Sequence, residues 1–212
     1  MLRLYSIPVS LYCAKLRILL RHKDLDWTET PPPGGYGSDE YKDLVPSGNL
    51  PALVDGGLML ADSEAIAEYL DEKFPERPML PEDVADRALI RERSRFHDTR
   101  LEPAVRALFP YLPGRESPPD GFIDAQSEII SARLRQLAKM LRPDAGHELT
   151  LGDCGFAITF AWIEELTPRM ELGVRWPGRL GGYRARVAAL PAVSDELDDY
   201  RPKLKAFLDG SV

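Results

Sequence analysis

The strongest constraint on this chain is a change of pattern at the prolines near residue 75. Segments with the period of a strand precede Pro75, and none is read after Pro81. Between them, Phe74-Pro75-Glu76-Arg77-Pro78 and the stretch through Pro81 cannot continue a helix and favour extended chain, which marks residues 76–82 as a linker. The sequence is therefore expected to fold as two units in series, 1–75 and 83–212. A length of 212 residues allows one large domain or two small ones, at roughly 100–200 residues per domain.

In the first unit, Leu2-Arg3-Leu4-Tyr5 alternates like a strand. Ala14 to Leu20 then places apolar residues at helical spacing, up to the basic end Arg21-His22-Lys23. Asp26 to Thr30 reads as a short strand, Pro31 to Gly35 as a loop and Ser38 to Leu44 as a short helix. Ala52-Leu53-Val54 and Leu58-Met59-Leu60 flank Asp55-Gly56-Gly57 as a hairpin, and Ser63 is expected to cap a helix running to about Lys73. The order is β-α-β-α-β-β-α. In the second unit, 83–109, 122–141, 151–166, 179–189 and 195–208 read as helices, broken at 110–119, 143–146, 168–177 and Pro191. Pro103 is expected to kink the first of them. The fold class is α/β followed by all-α.

Composition excludes several functions. With 27 Lys+Arg against 34 Asp+Glu the net charge is −7, which argues against nucleic acid as a partner, because that binding is driven by surplus cations. Cys13, Cys154, His22, His97 and His147 offer no pair at zinc-ligand spacing, so no metal is expected, and two cysteines suit a reducing compartment. The apolar run Gly155 to Ile163 is too short to cross a bilayer, and Met1 leads into a strand without a signal-peptide pattern. The expectation is a cytoplasmic protein with no membrane partner.

Three local signals carry chemistry. Ser10, in Ser10-Leu11-Tyr12-Cys13, stands where the first strand meets the first helix; there it can cap the helix or, beside unpaired N–H groups and the dipole, stabilise an anion or thiolate. Cys13 falls inside the first turn and reads as a buried core thiol. Gly48-Asn49-Leu50-Pro51 puts a proline at the start of an interior strand, a place for a cis bond, and leaves the Leu50 backbone able to pair with a peptide-like ligand. Asp62-Ser63 opens a helix; both are good caps, but the Ser hydroxyl and helix N–H groups can hold a carboxylate while Asp62 accepts from an ammonium group.

Taken together over nearly the whole chain, these signals resemble the soluble glutathione transferases of the serine type, theta-like or zeta-like and including bacterial members. The resemblance implies a thioredoxin-like amino-terminal domain and a carboxy-terminal helical bundle. It implies glutathione as co-substrate, with Ser10 against its sulfur and Leu50, before Pro51, pairing with its cysteinyl backbone. Asp62 and Ser63 would hold its γ-glutamyl end, and Asn49 stands where Lys or Gln is frequent. Thr150-Leu151-Gly152-Asp153 looks like the family's capping motif, and Trp176-Pro177, Tyr183, Arg186 and Pro191 resemble its carboxy-terminal pattern. A homodimer is implied as well.

Departures sharpen the expectation. Ser10-Leu11-Tyr12 replaces the Cys-Pro-Tyr of glutaredoxin-like members, which removes disulfide exchange at that position, and the zeta-type Ser-Ser-Cys run is absent. No basic residue stands clearly where many members hold the glycyl carboxylate; backbone N–H groups of the Gly34-Gly35-Tyr36-Gly37 loop are the alternative. The expected reaction joins the glutathione thiolate to a small, mostly apolar electrophile between the domains, with Tyr12, Arg93, Phe96 and His97, and also Arg100, as candidate contacts. Core or salt-bridge roles are open for each of these. A glutathione-dependent isomerase or reductive dehalogenase, the latter suggested by the Ser10/Lys15/Arg17 spacing, and a non-catalytic binding module remain alternatives.

Overall fold

The computed structural model describes residues 1–142 and 148–210. The break expected at 143–146, and His147, lie outside the described residues. Strands β1 (Leu2–Tyr5), β2 (Trp27–Thr30), β3 (Ala52–Asp55) and β4 (Leu58–Ala61) form one sheet in the order β2-β1-β3-β4. β1 runs parallel to β2 and antiparallel to β3, with Leu4 opposite both Glu29 and Leu53. The hairpin pairs Asp55 with Leu58 across Gly56-Gly57, and Gly56 takes the positive φ of 59° that so tight a turn demands. Helices α1 (Leu11–His22), α2 (Asp39–Leu44) and α3 (Ser63–Lys73) complete a thioredoxin-like domain.

Helices α4 (Val84–Phe96), α5 (Glu102–Arg106), α6 (Phe122–Met140), α7 (Leu151–Arg169), α8 (Gly178–Ala188) and α9 (Pro191–Leu208) follow as a bundle. Helix α1 is the element shared by both domains: it packs on α3 on one side and on α7 and α9 on the other. Its residues are buried almost all round, which explains the near-continuous apolar run from Leu16 to Leu20. The core is continuous across the junction, from Leu4, Leu16 and Ile66 to Phe156, Trp162 and Leu204.

Several boundaries differ from the sequence expectation. Pro103 does not kink α4. A π-helical turn, His97–Leu101, intervenes, closed by the Glu102 N–H donating to the His97 carbonyl, and Pro103 falls in the first turn of α5, where its missing N–H costs little. For the same reason Pro191 opens α9 rather than breaking the chain before residue 195. Pro168 lies within the last turn of α7. The cap of α3 is Asp62, not Ser63: its carboxylate reaches back over the first turn, which places Ser63 as the first helical residue.

Candidate functional site

Ser10 caps α1. Its Oγ accepts the Cys13 N–H at 3.3 Å, and its hydroxyl also lies within hydrogen-bond reach of the Cys13 thiol. The loop leading to it is held from the helical bundle. The Tyr200 hydroxyl donates to the Val9 carbonyl at 2.8 Å and itself receives the Trp162 indole N–H at 2.7 Å. Arg17, from α1, donates to the Pro8 carbonyl at 3.2 Å. Ser10 is half-buried, at the edge of this fixed framework.

Cys13 is fully buried, and burial pushes its thiol above the ordinary range against the opposing hydrogen bond to Ser10. It is a core group, unlike the exposed, low-pKa thiols that act as nucleophiles.

The Leu50-Pro51 bond is cis. The Leu50 side chain is buried, whereas its backbone N–H and C=O have no partner among the described residues. Tyr41, buried in α2, donates to the Asn49 carbonyl at 2.9 Å and fixes the approach to the bend; Asn49 itself is exposed. Gly48 is buried, and a Cβ there would meet the Lys42 side chain at 3.2 Å.

Asp62 adopts a φ of 88°, a left-handed conformation uncommon away from glycine. In it, Oδ1 accepts the Glu64 N–H at 2.9 Å and the Ala65 N–H at 3.1 Å, while the exposed carboxylate keeps Oδ2 open. Ser63 lies beside it with its hydroxyl unpartnered among the described residues. An acceptor for an ammonium group and a donor for a carboxylate therefore stand side by side.

Two of the residues expected at a second-substrate site are instead structural. Arg93 is buried in α4, donating to the Gly152 carbonyl at 3.1 Å, Thr150 Oγ1 at 2.9 Å and Asp153 Oδ1 at 3.1 Å. Asp153 also accepts the Thr150 N–H in the capping box of α7 and the Tyr183 hydroxyl. His97 is buried between Asp98 Oδ1 and Thr159 Oγ1, each 2.7 Å from a ring nitrogen. Helical spacing alone did not reveal which face of this segment turns inward. Phe96 is partly buried and borders a groove of about 400 Å³ between α4 and α6, shared with Arg95, Thr99 and Arg100 and not reached by Tyr12.

Tyr12 does stand at the domain junction. Its hydroxyl donates to Glu102 Oε2 at 3.0 Å and lies 3.4 Å from the Asp98 carbonyl; burial, then the Glu102 and Asp98 charges, push its pKa well above the ordinary phenol range. The Lys15 and Arg17 spacing likewise proves structural. Lys15, on α1, is buried and pairs with Glu64 at 2.6 Å and Asp98 at 2.9 Å, and Arg17 pairs with the fully buried Glu196 at 2.8 Å. Sequence reasoning missed these partners and also Arg106. Their signal was the presence of Lys15 and Arg17 in an otherwise apolar helix, since a buried cation requires an anion. Among the described residues no group of three or more His, Cys, Asp or Glu side chains is set to hold a metal ion.

Residues 4–78 match the family model "Glutathione S-transferase, N-terminal domain". A zeta-class glutathione S-transferase of Euphorbia esula is 32% identical over 152 residues, covering 70% of this chain and 68% of its own. A stringent starvation protein A homolog of Pasteurella multocida is 31% identical over 206 residues, covering 94% of this chain and 92% of its own. A delta-class glutathione transferase of Nilaparvata lugens superposes over 100% of both chains with a TM-score of 0.81 at 21% identity, which bears on the fold. With the sheet order, the cis Leu50-Pro51 bend and the two helix N-termini already in place, these likenesses establish that the chain belongs to the glutathione S-transferase family.

Proposed function

We propose that the protein binds glutathione on the residue 1–75 side of a linker at 76–82 and joins it, through its sulfur, to an electrophile held against the helices of 83–212. The observation that carries the reading is the Ser10 hydroxyl, half-buried at the N-terminus of α1, where it caps the helix and can turn its proton from the Cys13 side chain to an incoming anion. A thiol titrates near pH ~8.5 and reacts as the thiolate, so a donor at this position raises the reactive fraction at neutral pH. Ser10 acts as an anion stabiliser and forms no covalent bond.

The Leu50 backbone pairs with the cysteinyl residue of glutathione, Asp62 accepts its ammonium group, Ser63 and the α3 N–H groups take its α-carboxylate, and Asn49 flanks the ligand. The thiolate then attacks an electrophilic carbon. The second reading is glutathione-dependent isomerisation, in which the sulfur adds and later leaves: a maleyl pyruvate isomerase of similar fold is described as a zeta-class glutathione S-transferase, the class that a relative of this chain is also named for. The protein acts in the cytoplasm as a homodimer, without metal, nucleic acid or membrane.

Titration calorimetry with glutathione tests binding, and no heat at millimolar ligand would end the proposal. Spectroscopic titration of the bound thiolate tests the mechanism. Ser10→Ala is expected to raise the thiol pKa by about one unit, corresponding to about 1.4 kcal/mol, and an unchanged value would remove Ser10 from its role.

A further inference from the structure

We infer that Arg106 selects a second substrate bearing a carboxylate on a planar, otherwise apolar body. The inference rests on the proposed glutathione chemistry and names the substrate class of that same site.

Arg106 closes α5 and sits over two rings, its guanidinium carbon 5.6 Å from the Tyr12 centroid and 5.2 Å from that of Phe109. Tyr12 belongs to the first turn of α1, directly after Ser10 and Leu11. The cation is thus held beside the helix turn that Ser10 caps.

Its own counter-ion does not cancel it toward solvent. Glu102 pairs with Arg106, but the Glu102 side chain is 2% exposed and that of Arg106 is 47% exposed. The second Glu102 oxygen is taken by the Tyr12 hydroxyl. An incoming molecule therefore meets a guanidinium backed by a hidden carboxylate, and no further hydrogen-bond acceptor for Arg106 exists among the described residues. A guanidinium held over aromatic faces presents its edge for two parallel hydrogen bonds to a carboxylate. Phe109, stacked on Trp162 at 4.6 Å, backs the guanidinium, and the half-buried Tyr12 ring offers apolar surface to the body that carries the carboxylate. The charged, aromatic wall departs from the plain apolar site expected of the electrophile side.

The test compares 4-chloro-3-nitrobenzoate with 4-chloro-3-nitrobenzamide. In both, the glutathione sulfur bonds to the ring carbon and chloride leaves with the bonding pair, the thiol proton having passed to solvent. The ratio of kcat/KM for the carboxylate over the carboxamide is expected to fall at least tenfold in Arg106→Gln and less in Arg106→Lys. Calorimetric affinities of the two corresponding glutathione S-conjugates give a readout independent of turnover, with the same loss of preference. Ratios indifferent to residue 106, in a protein that binds glutathione, would overturn this inference alone; a protein that binds no glutathione would overturn the proposed function as well.

Discussion

Gly155 of α7 lies flat against the imidazole of His97: a Cβ at residue 155 would come within 2.4 Å of the ring. The ring cannot retreat without giving up its contacts to Asp98 and Thr159, both at 2.7 Å. Gly155→Ala is therefore expected to destabilise the fold by about 1–3 kcal/mol, a typical cost of overpacking, in spite of the better helix propensity of alanine. Thermal unfolding checks this. At roughly 2–4 °C per kcal/mol for a chain of this size, a melting temperature equal to wild type would mean that the ring has room to move.

Asp98 makes stability depend on acid. Burial alone would raise its carboxyl, but the His97 hydrogen bond and the Lys15 ammonium outweigh that and hold it at about 2. A carboxyl whose folded value lies below its ordinary 3.8 contributes stability in full above that value, and the contribution is lost as pH falls toward 2. Denaturant titrations of wild type between pH 5 and pH 2 are expected to lose about 2 kcal/mol from this group. Asp98→Asn should be less stable at pH 7 and flatter across that window; an equally steep profile would assign the acid sensitivity elsewhere.

Neither thiol is expected to react in the folded protein. Cys13 and Cys154 are both buried, and burial pushes both thiols up, for Cys154 reinforced by the nearby Asp153 charge. Treatment with N-ethylmaleimide at pH 8 followed by mass measurement should show no adduct on the native chain and two after urea unfolding. Rapid native labelling at Cys13 would contradict its placement in the core.

Arg93 joins α4 to the first turn of α7 through Asp153, with both side chains largely buried. Removing one partner of such a pair leaves the other desolvated and typically costs about 3–5 kcal/mol. Arg93→Met is expected to fall in that range in equilibrium unfolding, and Arg93→Met/Asp153→Leu, which also gives up the Thr150 cap and the Tyr183 partner, is expected to cost less than the sum of Arg93→Met and Asp153→Leu alone. A double variant showing the plain sum of the single losses would mean that the two residues act independently.

Local chemistry made much of this structure readable in advance. The strand period of Leu2–Tyr5, the Gly56-Gly57 turn and the Thr150/Asp153 spacing each fix a backbone geometry through residues close together in the chain. The same is true of the Ser10, Leu50-Pro51 and Asp62-Ser63 positions. What stayed hidden depends on distant partners. The inward turn of His97 requires the missing side chain at Gly155, 58 positions later, and burial of Arg17 requires Glu196 from the last helix. The periodicity of 83–109 also gave no warning of the π turn at His97–Leu101, which stands where a kink at Pro103 was expected.

That turn takes up length without passing it on. A π turn holds one more residue than an α turn within nearly the same angle and rise, so deleting one residue from His97–Leu101 and letting the helix close as α would leave α5 close to its present orientation. Arg106 would stay over the Tyr12 ring, with the sheet, the helix caps and Ser10 where they are. The chain can therefore carry or lose a spare residue between α4 and α5 while the groups on either side keep their alignment.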